Sequence, residues 1–572
     1  MRKVLPTLRL LLLVPALGCS GTISGSSGPG GPGPGPGGSG GGPSGSGGNP
    51  GNGTPSGLLG LPGGDLPTPH LHKLTATEFA NSVHDLLGDA APLGIVEPDT
   101  TTGFGFTSPA AAVATISPDG VALYETATGA ATEYAFGDAT RAAAVLPCMP
   151  SGPADQACMK QALAALGRRA FRRPLTDAEQ TRYLTVATTI AGKTGNTALT
   201  GLRHAVWAIL QSPSFLYRVE LGTPSAADGG RSKFSDFEMA SRLAGALWGS
   251  VPDDALLDAA AQGKLSTPEG IKTQAQRMLA DARVHRAFTA FVADLYDKVD
   301  LDQANKDPML YPTFSTTLRA AMQHELEQRI DDAIFSADGD YLSLLDSKTT
   351  FVNNELAMHY GLPAVNPDAW HQVTLPDDSH RVGLLGAGAI LVAQGLPQRT
   401  SPTARGKFVN EMVLCRTIPP PPDKVPPLPD ASDEPGTTVR QRLTKHRSDP
   451  ACAACHALMD PIGFGMENFD TVGKYRTADN NLPIDASGAL DMMPFDGLAQ
   501  LGSVLHQEPS VGPCVVAKVY TYLQGRTIND KDATAIDALA TFFAGNGNNV
   551  GKLLLQTVTN DAFRFVQPLV KP

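Results

Sequence analysis

Positive charge is the scarcer kind in this sequence. Across 572 residues, 45 Lys and Arg stand against 56 Asp and Glu, a net charge of -11. Phosphate backbones are bound by basic faces, so this balance argues against nucleic acid as a partner. Long apolar runs are lacking too. Past the N-terminus none approaches the roughly 18 to 20 residues of a membrane span, so the body of the chain is expected to be soluble. No Ser/His/Asp, Walker or dinucleotide fingerprint stands out, and no repeat with a period of roughly 20 to 50 residues is visible. Gly37-Gly38-Ser39-Gly40-Gly41 has the form of a hydrolase nucleophile elbow, but no strand precedes it and no helix follows. Cysteine is sparse, with seven residues. That sparseness helps, because each one can be given a role.

Two of the seven lie in Cys452-Ala453-Ala454-Cys455-His456. Cys-x-x-Cys-His is the attachment sequence of c-type haem, in which two thiols add across the haem vinyl groups and the adjacent imidazole ligates the iron. Cys452 and Cys455 are therefore expected to form thioethers to a single covalent haem c, with His456 as proximal iron ligand. Zinc is the rival. It needs two more Cys or His at short spacing, and only His446 is near.

The N-terminus supplies the compartment this chemistry needs. Arg2, Lys3 and Arg9 flank an apolar core from Leu10 to Leu17, the layout of an export signal too short to span a membrane. Ala16-Leu17-Gly18-Cys19-Ser20 resembles a bacterial lipobox, with Ala16 where Leu is usual, and makes Cys19 the candidate lipidated residue. From Gly21 to about Gly64 the chain is almost entirely Gly, Pro and Ser with Asn and Thr, a composition that cannot bury enough apolar surface to fold. It reads as a tether, and about forty such residues reach roughly 35 Å. Four cysteines remain. In an oxidising compartment they suggest two disulfides, and of the three pairings Cys148 with Cys158 and Cys415 with Cys514 is preferred.

The ordered part reads as helix after helix. Leu74-Thr75-x-x-Glu78 is a capping box, followed by Phe79, Val83, Leu86 and Leu87 on one face and closed by Gly88. Thr176-x-x-Glu179 and Ser235-x-x-Glu238 repeat the device, and Thr267-Pro268 opens another helix. Arg168, Arg169, Arg172 and Arg173 are read as structural salt bridges and a solvated face. His324 and His359 are read as hydrogen-bonded packing residues. Val373 to Leu375 is a short strand-like piece, Gly383 to Ala393 a packed small-residue helix, and Pro419 to Pro422 a stiff spacer before the haem segment. Helices are expected at Val439 to His446 and Pro513 to Gly525.

Taken in order, several motifs resemble the modules of one family. They are Leu74-Thr75-x-x-Glu78-Phe79, Phe171-Arg172-Arg173-Pro174-Leu175, Ser212-Pro213-x-Phe215-Leu216-Tyr217-Arg218, Arg242-Leu243 with Pro252-Asp253-Asp254, and Phe351-Val352-Asn353. Thr400-Ser401-Pro402, the Cys452 to His456 motif, Met459-Asp460-Pro461-x-Gly463-Phe464 and Glu467-Asn468-Phe469-Asp470 continue the set. The chain thus resembles the secreted DUF1592-type proteins (DUF1587/DUF1595/DUF1592/DUF1588/DUF1585) of planctomycetes, verrucomicrobia and myxobacteria, also classed as planctomycete-type cytochrome-c-like proteins. The resemblance spans nearly all of residues 70 to 566. It implies an exported, mostly helical haem carrier whose substrate is unknown, and some relatives carry a cellulose-binding label.

The expected fold is therefore mainly α, with helical modules leading to a C-terminal cytochrome c-like haem domain. The expected divisions are a lipoprotein signal at 1–19, a linker at 20–65, helical modules at 66–147, 148–225 and 230–362, a haem module at 378–480, and a helical module at 481–572 completing the haem domain. Met493 is the favoured sixth ligand, because Met492 and Met493 follow His456 in an irregular loop long enough to reach the distal face. His446 and His506 are alternatives, and Met459 is read as packing. Arg405, Lys474 and Arg476 could neutralise haem propionates but are read as solvated. The expected function is electron transfer at the cell envelope, in the periplasm or at the surface, anchored to the outer membrane by lipid alone and serving a redox partner or an unknown substrate. The alternative is a surface polysaccharide-binding protein with accessory haem.

Overall fold

The computed structural model describes residues 65–101, 105–193, 195–224, 228–295, 299, 301–336, 339–419, 428, 434–447 and 450–568. The export signal, Cys19, the tether and most of the proline run lie outside them. Twenty-three α-helices and only short strands make up the described chain, so the mainly α expectation holds. Among the described residues no helix is long and apolar enough to cross a membrane.

The helices start where their side chains can satisfy the free backbone N–H groups of a first turn. Thr75, Thr176 and Ser235 each form the expected reciprocal capping box, with Glu78, Glu179 and Glu238 respectively. Thr267 caps Pro268–Leu279, and Ser401 caps Pro402–Phe408 with proline at the first helical position. Val439–His446 forms as expected, and the helix expected at Pro513 to Gly525 runs Val511–Gln524. Gly383 to Ala393 is broken into a short 3-10 turn, Leu384–Gly386, and a helix, Gly388–Ala393.

Two large hydrophobic clusters carry the packing. Residues from Leu74 to Val251, among them Phe79, Leu163, Leu202 and Phe215, form one. Phe106 and residues from Phe234 to Val566 form the other, with Trp248, Leu326, Leu391, Phe469 and Tyr520 fully or almost fully buried in it. A third is small: Val439, Leu443 and Phe464, with Leu428 against them.

The strands pair as antiparallel two-stranded ribbons, apart from one three-stranded sheet that joins Phe565–Val566 to Ser232–Lys233 and Thr223–Pro224. His70–Lys73 pairs with Tyr217–Glu220, tying the start of the described chain to residues about 150 positions later. Val373 falls in His371–Thr374, which pairs with Thr349–Val352. Ser487–Leu490 pairs with Met493–Asp496, so Met492 and Met493 stand at a hairpin turn and not in an irregular loop. That arrangement corrects the expectation. The turn is tight because Asp491 adopts a left-handed backbone, which aspartate tolerates better than most residues.

Disulfides join Cys148 to Cys158 and Cys415 to Cys514. The second ties the end of the π-helical turn Val409–Val413 to the Val511–Gln524 helix, on either side of the Cys452 to His456 stretch in sequence.

Candidate functional site

Cys452, Cys455 and His456 all lie on one helix, Pro450–Phe464. Spacings of three and four residues return to the same helical face, so the helix presents both sulfurs and the imidazole to one side. Neither thiol is in a disulfide, and both are half-buried. The helix is interrupted chemically at Pro461, whose missing N–H leaves the carbonyl of Ala457 without its usual donor. Nearby, the buried amide of Asn410, in the π-helical turn, donates to the carbonyls of Leu458 at 3.0 Å and Gly406 at 2.9 Å.

Backbone contact seats this helix on Pro402–Phe408. A Cβ on Gly406 would overlap the carbonyl of Met459, and one on Gly463 would overlap the carbonyl of Pro402. The two helices can approach this closely only because both positions are glycine. Met459 is consequently buried, as expected for a packing residue.

The close approach brings Thr403 beside the motif. His456 Nδ1 donates to Asp460 Oδ2 at 3.0 Å, and Thr403 Oγ1 donates to Asp460 Oδ1 at 2.7 Å. Asp460 is fully buried, and Arg447 Nη1 stands 4.0 Å from its Oδ2. A carboxylate can only accept, so Nδ1 carries a proton and is turned toward Asp460. This is the way a ligating histidine is oriented from behind. Among the described residues the two sulfurs and a ring nitrogen do not come together within 4.8 Å as a zinc ligand set would, and no other Cys, His or carboxylate completes one there. Two unbridged thiols on one helical face beside an imidazole held by Asp460 fit a covalently held haem.

The other expected residues divide. Met493 is 45% exposed at its hairpin turn. The hairpin meets the motif helix at Pro461, where a Cβ on Gly488 would overlap the Pro461 carbonyl, one turn beyond His456. The side chain of His446 lies outside the described residues. His506 Nδ1 pairs with Asp346 at 2.9 Å.

Arg405 is the clearest correction among the cations. It is fully buried, not solvated, and donates to the carbonyls of Met466 at 2.7 Å, Phe469 at 2.9 Å and Asp470 at 2.9 Å. Glu467 sits between it and Arg476; burial pushes this carboxyl up against the opposing pull of both arginines. Arg476 also pairs with Asp479 at 3.0 Å, so both guanidiniums are committed to the fold beneath the motif. Lys474 is exposed, as expected.

Of the upstream arginines, Arg168 reaches Asp254 and Asp258, and Arg173 forms a two-pronged pair with Glu179. Arg172 departs from a solvated face. It is buried and donates to the carbonyls of Ser214 and Phe215. His324 packs at a tilt against Trp370, and His359 Nε2 donates to the Val472 carbonyl at 2.8 Å, the hydrogen-bonded packing role expected of it.

Sequence reasoning quoted Asp460 within a motif but gave it no role, and it missed Thr403 and Asn410. Asp460 carried a signal, since it follows His456 by one helical turn. Thr403 and Asn410 carried none, because only the glycine-mediated helix contact brings them in.

Comparison with known families matches four stretches of the chain, each described as a protein of unknown function: DUF1595 at residues 158–220, DUF1592 at 234–362, DUF1588 at 381–479 and DUF1585 at 493–563. The Cys452 to His456 motif falls inside the third. No curated protein and no solved structure matches the chain.

Proposed function

Because the chain belongs to the DUF1592-type family of multi-module proteins, we propose that its DUF1588 stretch carries a covalent haem c and that the protein transfers electrons at the cell envelope. The observation that carries this reading is the conjunction on one helix of Cys452, Cys455 and a His456 whose Nδ1 is held by the buried Asp460. Cys452 and Cys455 would hold the haem through thioethers and His456 would hold its iron. The bound haem supplies one-electron chemistry.

The protein's own residues do the positioning. Asp460 fixes the ring orientation of His456 and strengthens its donor nitrogen, Thr403 holds Asp460, and the Gly406 and Gly463 contacts fix the helix that carries all three site residues. Arg405, with its pKa lowered to about 10 by burial, pins the segment 466–470 that follows the helix. Met493, exposed at its turn, is the candidate sixth ligand. Export and a lipid on Cys19 would put this centre outside the cytosol, where the disulfides are at home.

The test is a haem stain on denatured protein matured in an exporting host, with a pyridine haemochrome spectrum and potentiometry. One haem per chain with a reversible midpoint is the expected result. Denatured protein without attached haem after competent maturation would overturn the reading.

A further inference from the structure

A second histidine-bearing constellation lies far from the Cys452 to His456 motif in sequence. It is built on the ribbon of His70–Lys73 and Tyr217–Glu220, in which His70 faces Glu220 and His72 faces Arg218. Side chains alternate across a strand, so His70, His72, Arg218 and Glu220 share one face while Leu71 and Val219 share the other. The ribbon is inside out. Leu71 is 49% exposed and Val219 43%, whereas His72, Arg218 and Glu220 are almost wholly buried. A register shift by one residue would reverse this, so the fold specifies a buried polar face at the cost of exposing the apolar one.

Two ring nitrogens on the buried face have no hydrogen bond, their nearest carboxylates, Glu220 and Glu78, standing 3.8 Å away. His70 Nδ1 donates to the carbonyl of Thr68 at 2.8 Å, which leaves the lone pair on Nε2. The Nε2 atoms of both His70 and His72 are buried without a hydrogen-bond partner. One ligand atom each from His70, His72 and Glu220 lies within 4.8 Å of the others. Arg242 forms a close ion pair with Glu220 Oε2 and Arg218 Nε stands 3.7 Å from Oε1, fixing the carboxylate as outer partners fix a ligand.

An adjoining cavity of about 110 Å³ is lined by His72, Asn81 and Glu220. Its charged lining comprises four carboxylates, Glu78, Asp99, Glu220 and Asp294, against two guanidiniums, Arg218 and Arg242.

We propose that His70, His72 and Glu220 bind a divalent transition-metal ion of the zinc or iron(II) class, with its remaining coordination positions open to the cavity. Two imidazoles and one carboxylate is the donor set of catalytic zinc and of non-haem iron sites, in which protein ligands leave room for water or substrate. Calcium and magnesium are disfavoured, because they take oxygen ligands. The site rests on neither the haem nor export, and it gives the N-terminal modules a centre of their own.

The test uses the full chain, stripped with a chelator, dialysed against zinc and counted for metal per protein. The unsubstituted protein and a Cys452→Ser/Cys455→Ser variant should each retain one zinc, while His70→Ala and His72→Ala should bind it about tenfold or more weakly. His70 is the least buried of the three, so His70→Ala decides the matter if His72→Ala fails to fold. The proposal is overturned if the unsubstituted protein retains no zinc, if His70→Ala retains it equally, or if retention disappears in the double cysteine variant.

Discussion

The molecule offers two histidine sites built in opposite ways. His456 stands in an unbroken pentapeptide on one helix, and even its supporting carboxylate, Asp460, is one turn away. His70 and His72 find Glu220 only because a ribbon joins chain segments about 150 residues apart. A site written into one helix forms when that helix forms. A site assembled across a ribbon exists only when register, burial and buried charge all agree. The first should tolerate damage to the surrounding fold, and the second should not.

The widest separation between them is chemical. Cys452→Ala/Cys455→Ala should abolish covalent haem, from about one per chain to none, with zinc binding at His70 and His72 unchanged; a denaturing-gel haem stain and metal counting read both. Asp460→Asn should keep the haem attached but weaken the donor behind it, raising the midpoint potential because a less basic ligand favours reduced iron. An unchanged midpoint would remove Asp460 from the account.

Next in size is the ribbon's dependence on its buried charges. Arg242 is buried, forms a close ion pair with Glu220 and lies over the rings of Phe234 and Phe563. Arg242→Met would leave Glu220 without its nearest cation, and losing one partner of a buried pair costs about 3–5 kcal/mol. The denaturation midpoint should fall accordingly while haem attachment survives. A shift no larger than that of a surface substitution would mean the ribbon is not held by this pair.

The helical site has a weaker point of its own, at the glycine contact. Gly463→Ala would drive a methyl group into the Pro402 carbonyl, and forcing extra volume into such a contact costs about 1–3 kcal/mol. Denaturant titration should show the loss. Haem stoichiometry should stay near one, since the pentapeptide itself is untouched.

This contrast also explains what could be read in the sequence. Capping boxes at Thr75, Thr176 and Ser235, the Val439–His446 helix and the Cys452 to His456 stretch involve residues within one or two turns, and local chemistry suffices for them. The hairpin placing Met493, the burial of Arg405 and the role of Thr403 depend on which segments meet, which no short window contains. His70-Leu71-His72 is visible as a spaced pair. Its significance comes from Glu220 opposite it and from a polar face turned inward, and neither is local. The inversion of Leu71 and Val219 would have counted against a strand with its polar side buried, so pattern reasoning would have turned the ribbon the wrong way.

A third histidine supplies the baseline for both sites. His359 is half-buried, with Nε2 donating to the Val472 carbonyl. Burial lowers its pKa to about 4, against the opposing hydrogen bond, with Lys474 and Arg381 adding to the depression. In the unfolded chain the ring titrates near 6.5, so between those two values the unfolded state binds more protons than the folded one. The stability it supports is therefore complete above about pH 6.5, falls as the pH drops toward 4, and is flat below that. The full gap would correspond to about 3 kcal/mol, and partial exposure reduces the expectation to about 2 kcal/mol. His359→Gln should flatten that part of the stability profile measured by denaturant titration between pH 7 and pH 4, leaving haem content and zinc retention unaltered. If the profile kept its slope, the acid sensitivity would have to come from the other titrating groups, and His359 would no longer serve as the packed histidine against which the two ligand sites are judged.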